Sequence, residues 1–143
     1  MRVFRLTRGA SPEHSMTLEL DHDARRKSRQ LIFLPDGSQA KLLAPRGSFI
    51  NDGDLFLDQD AVPLVIRAKD ERLIVAKSQR PLDMIKAAYY LGNQHLPLEI
   101  EEDGSLRFIQ NPVALALVKS MGLEVEEILS PFNPAPGAFV HTH

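Results

Sequence analysis

Tyr89-Tyr90-Leu91-Gly92-Asn93-Gln94-His95-Leu96-Pro97-Leu98 carries the chain out of a helix and into a strand, and its reading organises the second half of the sequence. A helix is predicted over residues 81–91. Pro81 suits the first turn because the N–H it lacks is not needed there, Asp83 sits where the helix dipole favours an acid, and Gly92 offers a C-terminal stop. Leu82, Ile85 and Tyr89 recur on one face at helical spacing. His95 follows on a short connection, ahead of a strand that begins at Leu98.

Working outward, Arg72 to Lys77 reads as a strand rich in Leu, Ile and Val. Leu98 to Glu101 and Leu106 to Ile109 form a hairpin across Glu102-Asp103-Gly104-Ser105. Asn111-Pro112 opens a second helix, Gly122 stops it, and Leu123 to Leu129 is a final strand. The order β-α-β-β-α-β is that of a ferredoxin-like domain. In the second helix Val113-Ala114-Leu115-Ala116-Leu117-Val118 is apolar all round. One sheet covers one face of a helix, so the other face is expected to be buried against another chain, the alternative being the first helix of its own domain.

The first half is punctuated differently. Val3 to Thr7 and Ser15 to Leu20 alternate at period two. Gln30 to Leu34 and Gln39 to Leu43 flank the turn Pro35-Asp36-Gly37, and Leu55 to Leu57 and Val62 to Ala68 follow two further glycine turns. Short strands with no helix-length periodicity predict an all-β module, a sandwich or barrel. The fold class is therefore α+β: an N-terminal β domain over residues 1–69, a ferredoxin-like domain over 70–135, and a histidine-containing flexible tail over 136–143.

Composition limits the chemistry. The 143 residues are 43% apolar and 25% charged with a formal charge of -2, which gives no electrostatic reason to expect nucleic acid. No apolar run approaches the roughly 20 residues of a membrane span, and residues 1–5 alternate like a strand, so a cytoplasmic location is expected. With no cysteine there is no disulfide, thiolate nucleophile or iron–sulfur cluster, and any metal must be held by nitrogen and oxygen. Imidazoles favour nickel, zinc or copper. No Gly-x-Ser-x-Gly elbow, His-Glu-x-x-His or phosphate loop is present, and the hairpin strand exposes too few aromatics to stack RNA bases.

An ordered set of segments resembles the urease accessory protein E (UreE) family. The N-terminal half carries Arg26-Lys27-Ser28-Arg29, Asp36-Gly37, Leu42-Leu43-Ala44-Pro45-Arg46-Gly47 and Asp52-Gly53-Asp54. The C-terminal half carries Ala87 to Leu98, Leu106-Arg107-Phe108, Met121 to Val125, and Pro131-Phe132-Asn133-Pro134 with Gly137-Ala138-Phe139. The Gly-Asn-x-His-x-Pro-Leu segment is the most specific. The resemblance implies a nickel metallochaperone of urease maturation, not an enzyme. It implies a partner-binding or peptide-binding N-terminal domain and a homodimer through the C-terminal domains. It also implies one nickel site shared by His95 of both chains, and as partners the urease apoprotein and other accessory proteins, including the accessory GTPase.

Two departures matter. Many relatives place histidines where this chain reads Ile109-Gln110-Asn111-Pro112, and many end in a long histidine-rich tail where this one has His141-Thr142-His143. The metal ligands expected are thus His95, His141 and His143, binding Ni2+ with Zn2+ or Cu2+ as competitors. Two imidazoles leave coordination positions open, which suits a carrier that must release its cargo. His14 and His22 are expected at the surface or a strand edge, the basic run Arg25 to Arg29 in a solvated loop or on a charged surface that meets an acidic partner, and Asp52-Gly53-Asp54 in a turn. The alternative reading is a protein-binding adaptor of urease assembly with a reduced metal role.

Overall fold

The computed structural model describes residues 1–134, and the chain divides into two compact units between Lys69 and Asp70. In the first unit, strands β1 (Arg2–Thr7), β2 (Met16–Leu20), β3 (Arg29–Phe33), β4 (Gln39–Leu43), β5 (Leu55–Leu57) and β6 (Pro63–Ala68) form one sheet in the order β2-β6-β5-β1-β4-β3. Alternation decides its inner face: Phe4, Ile32, Ala40, Leu42, Phe56, Leu64 and Ile66 point to one side and are joined there by Leu34, Ala44 and Ile50. The β1/β4 and β2/β6 pairs are parallel, a pairing that hairpin turns alone do not announce.

A four-residue helix, α1 (His22–Arg25), interrupts the strands. The Asp21 carboxylate caps it by accepting from the Ala24 N–H at 2.8 Å. α1 changes the reading of its neighbourhood, because His22 and Arg25 are each only 2% exposed. His22 is therefore a core residue and not a surface one, and Arg25 leaves the expected solvated run to donate from Nε to the Leu20 carbonyl at 3.3 Å.

The second unit runs β7 (Asp70–Lys77), α2 (Pro81–Asn93), β8 (Glu99–Ile100), β9 (Leu106–Ile109), α3 (Pro112–Ser120) and β10 (Glu124–Pro131). Its sheet has the order β10-β7-β9-β8 with every neighbour antiparallel, the ferredoxin-like arrangement. Both helices cover one face, since Ala87 and Leu91 of α2 and Ala114 and Val118 of α3 share a core with Ile74, Ala76, Leu106 and Phe108. Asn111 caps α3 by accepting from the N–H groups of Val113 and Ala114.

The apolar surplus lies elsewhere than expected. In α3, Leu115 and Leu117 pack on the core of their own unit, which leaves Val113 as its large exposed apolar residue. In α2 the face defined by Leu82, Ile85 and Tyr89 points to solvent, opposite the Ala87–Leu91 face. Among the described residues, no helix is long and apolar enough to cross a membrane.

Candidate metal centre

The local structure at His95 follows from how α2 ends. The His95 N–H donates to the Gly92 carbonyl at 2.9 Å and the Leu96 N–H to the Leu91 carbonyl at 3.3 Å. Between these bonds His95 takes φ +60°, in the left-handed region. This is a Schellman closure with His95 at the first position beyond the cap. α3 closes identically, with Gly122 at φ +79° donating to Lys119 at 3.0 Å and Leu123 donating to Val118 at 3.2 Å. Where one helix has the glycine that this conformation favours, the other has a histidine. An L residue held there costs about 1–2 kcal/mol.

Gly92 is consequently not the stop. It lies inside α2 with no positive φ, and the helix continues to Asn93. The hydrophobic latch explains the choice. Closure at His95 places Leu91 and Leu96 at the two positions that pack together, and both belong to the core of the unit. Closure at Gly92 would put the polar Asn93 in the latch instead.

His95 itself is exposed, and both N–H groups of the turn are committed to carbonyls, so its imidazole stands on a fixed backbone mount with Pro97 two residues on. Among the described residues, no group of three or more His, Asp or Glu side chains gathers to hold a metal. One rigid imidazole per chain is what this region supplies. His141 and His143 lie outside the described residues. His14 is exposed in a turn at φ +63°. His22 packs its ring 5.8 Å from that of Phe49, and burial, then the charges of Arg25 and Arg26, hold its imidazole below the usual value. It is no candidate ligand.

Asp52-Gly53-Asp54 is a turn: Asp54 accepts from the Asn51 N–H at 2.8 Å and Asp52 from the Ala68 N–H at 2.8 Å. Of the positions where histidines are missing, Gln110 follows β9 with its backbone N–H donating to the Arg72 carbonyl at 3.1 Å, and Pro112 opens α3.

Two features near the candidate centre escape sequence reasoning. The exposed stripe on α2 comprises Leu82 at 52%, Ile85 at 65%, Tyr89 at 67% and Tyr90 at 45% exposure, and it leads along the helix toward His95. Its spacing was legible; which face met the sheet was not. The second is Glu99, opposite Arg107 in the β8/β9 ladder. Burial raises its carboxyl from the ordinary value and the charge of Glu101 adds to this, while Arg107 and a hydrogen bond with the Asn133 backbone oppose it. Arg107 instead lies 3.3 Å from Glu101, and Glu99 Oε1 is buried with no hydrogen-bond partner.

Comparison with known proteins agrees with this architecture over both units. Residues 4–69 match the model of the UreE urease accessory protein N-terminal domain, and residues 71–143 match that of the C-terminal domain. The chain is 39% identical to the urease accessory protein UreE of Nostoc punctiforme over 130 residues, covering 90% of this chain and 87% of that protein. Against the proteins of the same name from Burkholderia lata and Pseudomonas putida, identity is 39% over 127 and 126 residues, covering 89% and 87% of this chain. The chain spans 61% of the Burkholderia lata protein and 76% of the Pseudomonas putida protein. With both domains matched in order, the chain belongs to the UreE urease accessory protein family.

Proposed function

We propose that this chain serves urease maturation as a nickel metallochaperone and not as an enzyme. It acts as a cytoplasmic homodimer in which His95 of each copy meets the other at one shared site and carries Ni2+ as cargo. Residues 70–135 bind metal and dimerise, and residues 1–69 engage partners. The observation that carries the reading is the exposed imidazole of His95 on a Schellman turn closed by two backbone hydrogen bonds; its φ of +60° is shared by His14 and Ala61 and carries no function alone.

The α2 stripe supports the dimer. A contiguous exposed apolar face marks an interaction surface, and a twofold axis would set the stripe of one copy against the same stripe of the other. Helix geometry restricts where that axis passes. At about 1.5 Å per residue, antiparallel α2 helices crossing at Ile85 would hold the two His95 mounts about 30 Å apart. By the same rise a crossing at Tyr89 leaves them about 18 Å apart, and one in the last turn, at Asn93, about 6 Å.

Two imidazoles occupy two of the four to six positions around Ni2+. The open positions let ligands from the urease apoprotein, or from the accessory GTPase, attach before the imidazoles leave. His141 and His143 serve as auxiliary ligands. Cu2+ binds such nitrogen sites more strongly than Ni2+, so competition from Cu2+ or Zn2+ is governed by supply and geometry. The adaptor alternative draws on the histidines missing at Gln110 and Pro112 and on the strand edges of the N-terminal sheet, which could accept a partner strand.

Calorimetric titration with nickel of the native chain and of His95→Ala tests the reading. The native protein is expected to take one ion per two chains at its tightest site, and the variant to lose that site. Affinity falls on acidification, because protons compete with the metal for imidazole nitrogen. Equal affinity and stoichiometry in the variant would refute nickel carriage by His95.

A further inference from the structure

We propose that β3 and the outer face beside it form a docking surface for an extended acidic segment of a partner protein, which adds to the N-terminal sheet as a further strand. This deepens the partner-binding role proposed above and rests on none of its metal chemistry.

β3 ends the sheet order, so among the described residues one of its backbone edges has no neighbouring strand. Edge strands are normally shielded by charge, proline, bulges or a covering element, because their open N–H and C=O groups pair readily. The two edges of this sheet differ. β2 turns Thr17 and Glu19 outward, whereas β3 turns out Arg29 with Leu31 at 59% and Phe33 at 64% exposure. Ile32 meets the core between them, so Leu31 and Phe33 are not needed for folding on that side.

The ladder supplies the charge that identifies the occupant. Leu31 is paired with Lys41, and Arg29 with Leu43, which in turn lies beside Arg5 on β1. Arg29, Lys41 and Arg5 are all exposed, and none of the outward positions of β3, β4 and β1 is acidic. The nearest acid in the turn, Asp36, accepts from the Ser38 hydroxyl at 2.6 Å and the Ser38 N–H at 2.9 Å. An incoming strand alternates its side chains, so one face of it would lay apolar groups on Leu31 and Phe33 and carboxylates against Arg29 and Lys41. Its backbone would supply the missing ladder. A second copy fits less well, because it would add a second set of cations to a surface without counter-charge.

The probe is a fluorescein-labelled peptide with threonine at every second residue and glutamate and valine alternating at the others, so that one face of the strand carries both, titrated against the full chain by fluorescence anisotropy. Binding is expected, with weakening by at least about tenfold in Leu31→Thr/Phe33→Thr. Lys41→Glu, which leaves both apolar groups in place, should also weaken it, as should added salt. Replacing glutamate by lysine in the peptide, or N-methylating alternate amides, should abolish it. An N-methylated or lysine peptide that binds as well as the probe overturns the proposal, and so does an unaffected double variant. Sedimentation of the chain alone showing a larger species that Leu31→Thr/Phe33→Thr dissolves would assign the surface to a second copy, which also overturns it. Nickel binding stays intact in the β3 variants and peptide binding in His95→Ala, so failure of either idea leaves the other standing.

Discussion

Replacing His95 by glycine should make the C-terminal unit more stable while removing its metal ligand. In the native chain α2 and α3 end in the same pair of hydrogen bonds, one around His95 at φ +60° and the other around Gly122 at φ +79°. An L residue in the left-handed region costs about 1–2 kcal/mol. Glycine relieves that cost but adds about 0.4–1 kcal/mol of freedom to the unfolded chain. The net gain is about 1 kcal/mol, which in a unit of this size moves the melting midpoint by about 4–8 °C. His95→Ala keeps the strained backbone and serves as the control, with stability near that of the native chain. The sequence provides its own reporter, because the chain has no tryptophan and its two tyrosines, Tyr89 and Tyr90, both lie on α2. Tyrosine fluorescence during urea unfolding, with chelator present and chain concentration fixed, therefore follows this unit. A His95→Gly variant no more stable than His95→Ala would show that the histidine bears no backbone strain.

Other substitutions test neighbouring parts of the account. Gly92→Ala should stabilise α2 by about 0.8–1 kcal/mol, since Gly92 is helical and an added Cβ meets nothing within 4 Å; urea unfolding that shows a loss would restore Gly92 as the helix stop. Glu99→Gln should raise stability at pH 7. The Glu99 carboxyl is raised in the folded state, so its contribution is full below the unfolded value of about 4.5 and is lost as pH rises through the folded one. The variant's advantage should vanish near pH 4. His22 is lowered, so the N-terminal unit should be most stable above about 6.5 and weaken as pH falls below it, when the unfolded imidazole takes a proton that the buried ring resists. Thermal melts of His22→Gln by circular dichroism should lose that slope. Ile85→Glu/Tyr89→Glu should leave the fold intact, as both residues are exposed, yet sediment as a monomer at concentrations where the native chain is a dimer.

Much of the fold is legible because its signals are local. Period-two alternation and glycine turns mark the strands of the first unit, and the proline and capping positions at Pro81 and Asn111 start the helices where they occur. What escapes is decided by contacts between distant segments. The parallel β1/β4 pair joins Val3 to Lys41, which no turn between them foretells. Gly92 meets the local rule for a helix stop, but Leu96 finds the core only if the helix runs on to Asn93. Leu82, Ile85 and Tyr89 show helical spacing, as do Met84, Ala87 and Leu91, and which set faces the sheet is settled by the fit of the small Ala87 against it. His22 reads as polar until α1 folds it inward. At the candidate centre the sequence points to the residue, while the Schellman turn that holds it is a backbone property of the folded chain.

The most direct measurement is anomalous diffraction at the nickel edge from crystals of the nickel-loaded protein. One strong peak is predicted on a twofold axis, bonded to the His95 imidazole of both copies at the C-terminal ends of their α2 helices. A peak bound only by ligands within one chain, or a dimer that holds the two His95 rings far apart, would contradict the shared carrier site.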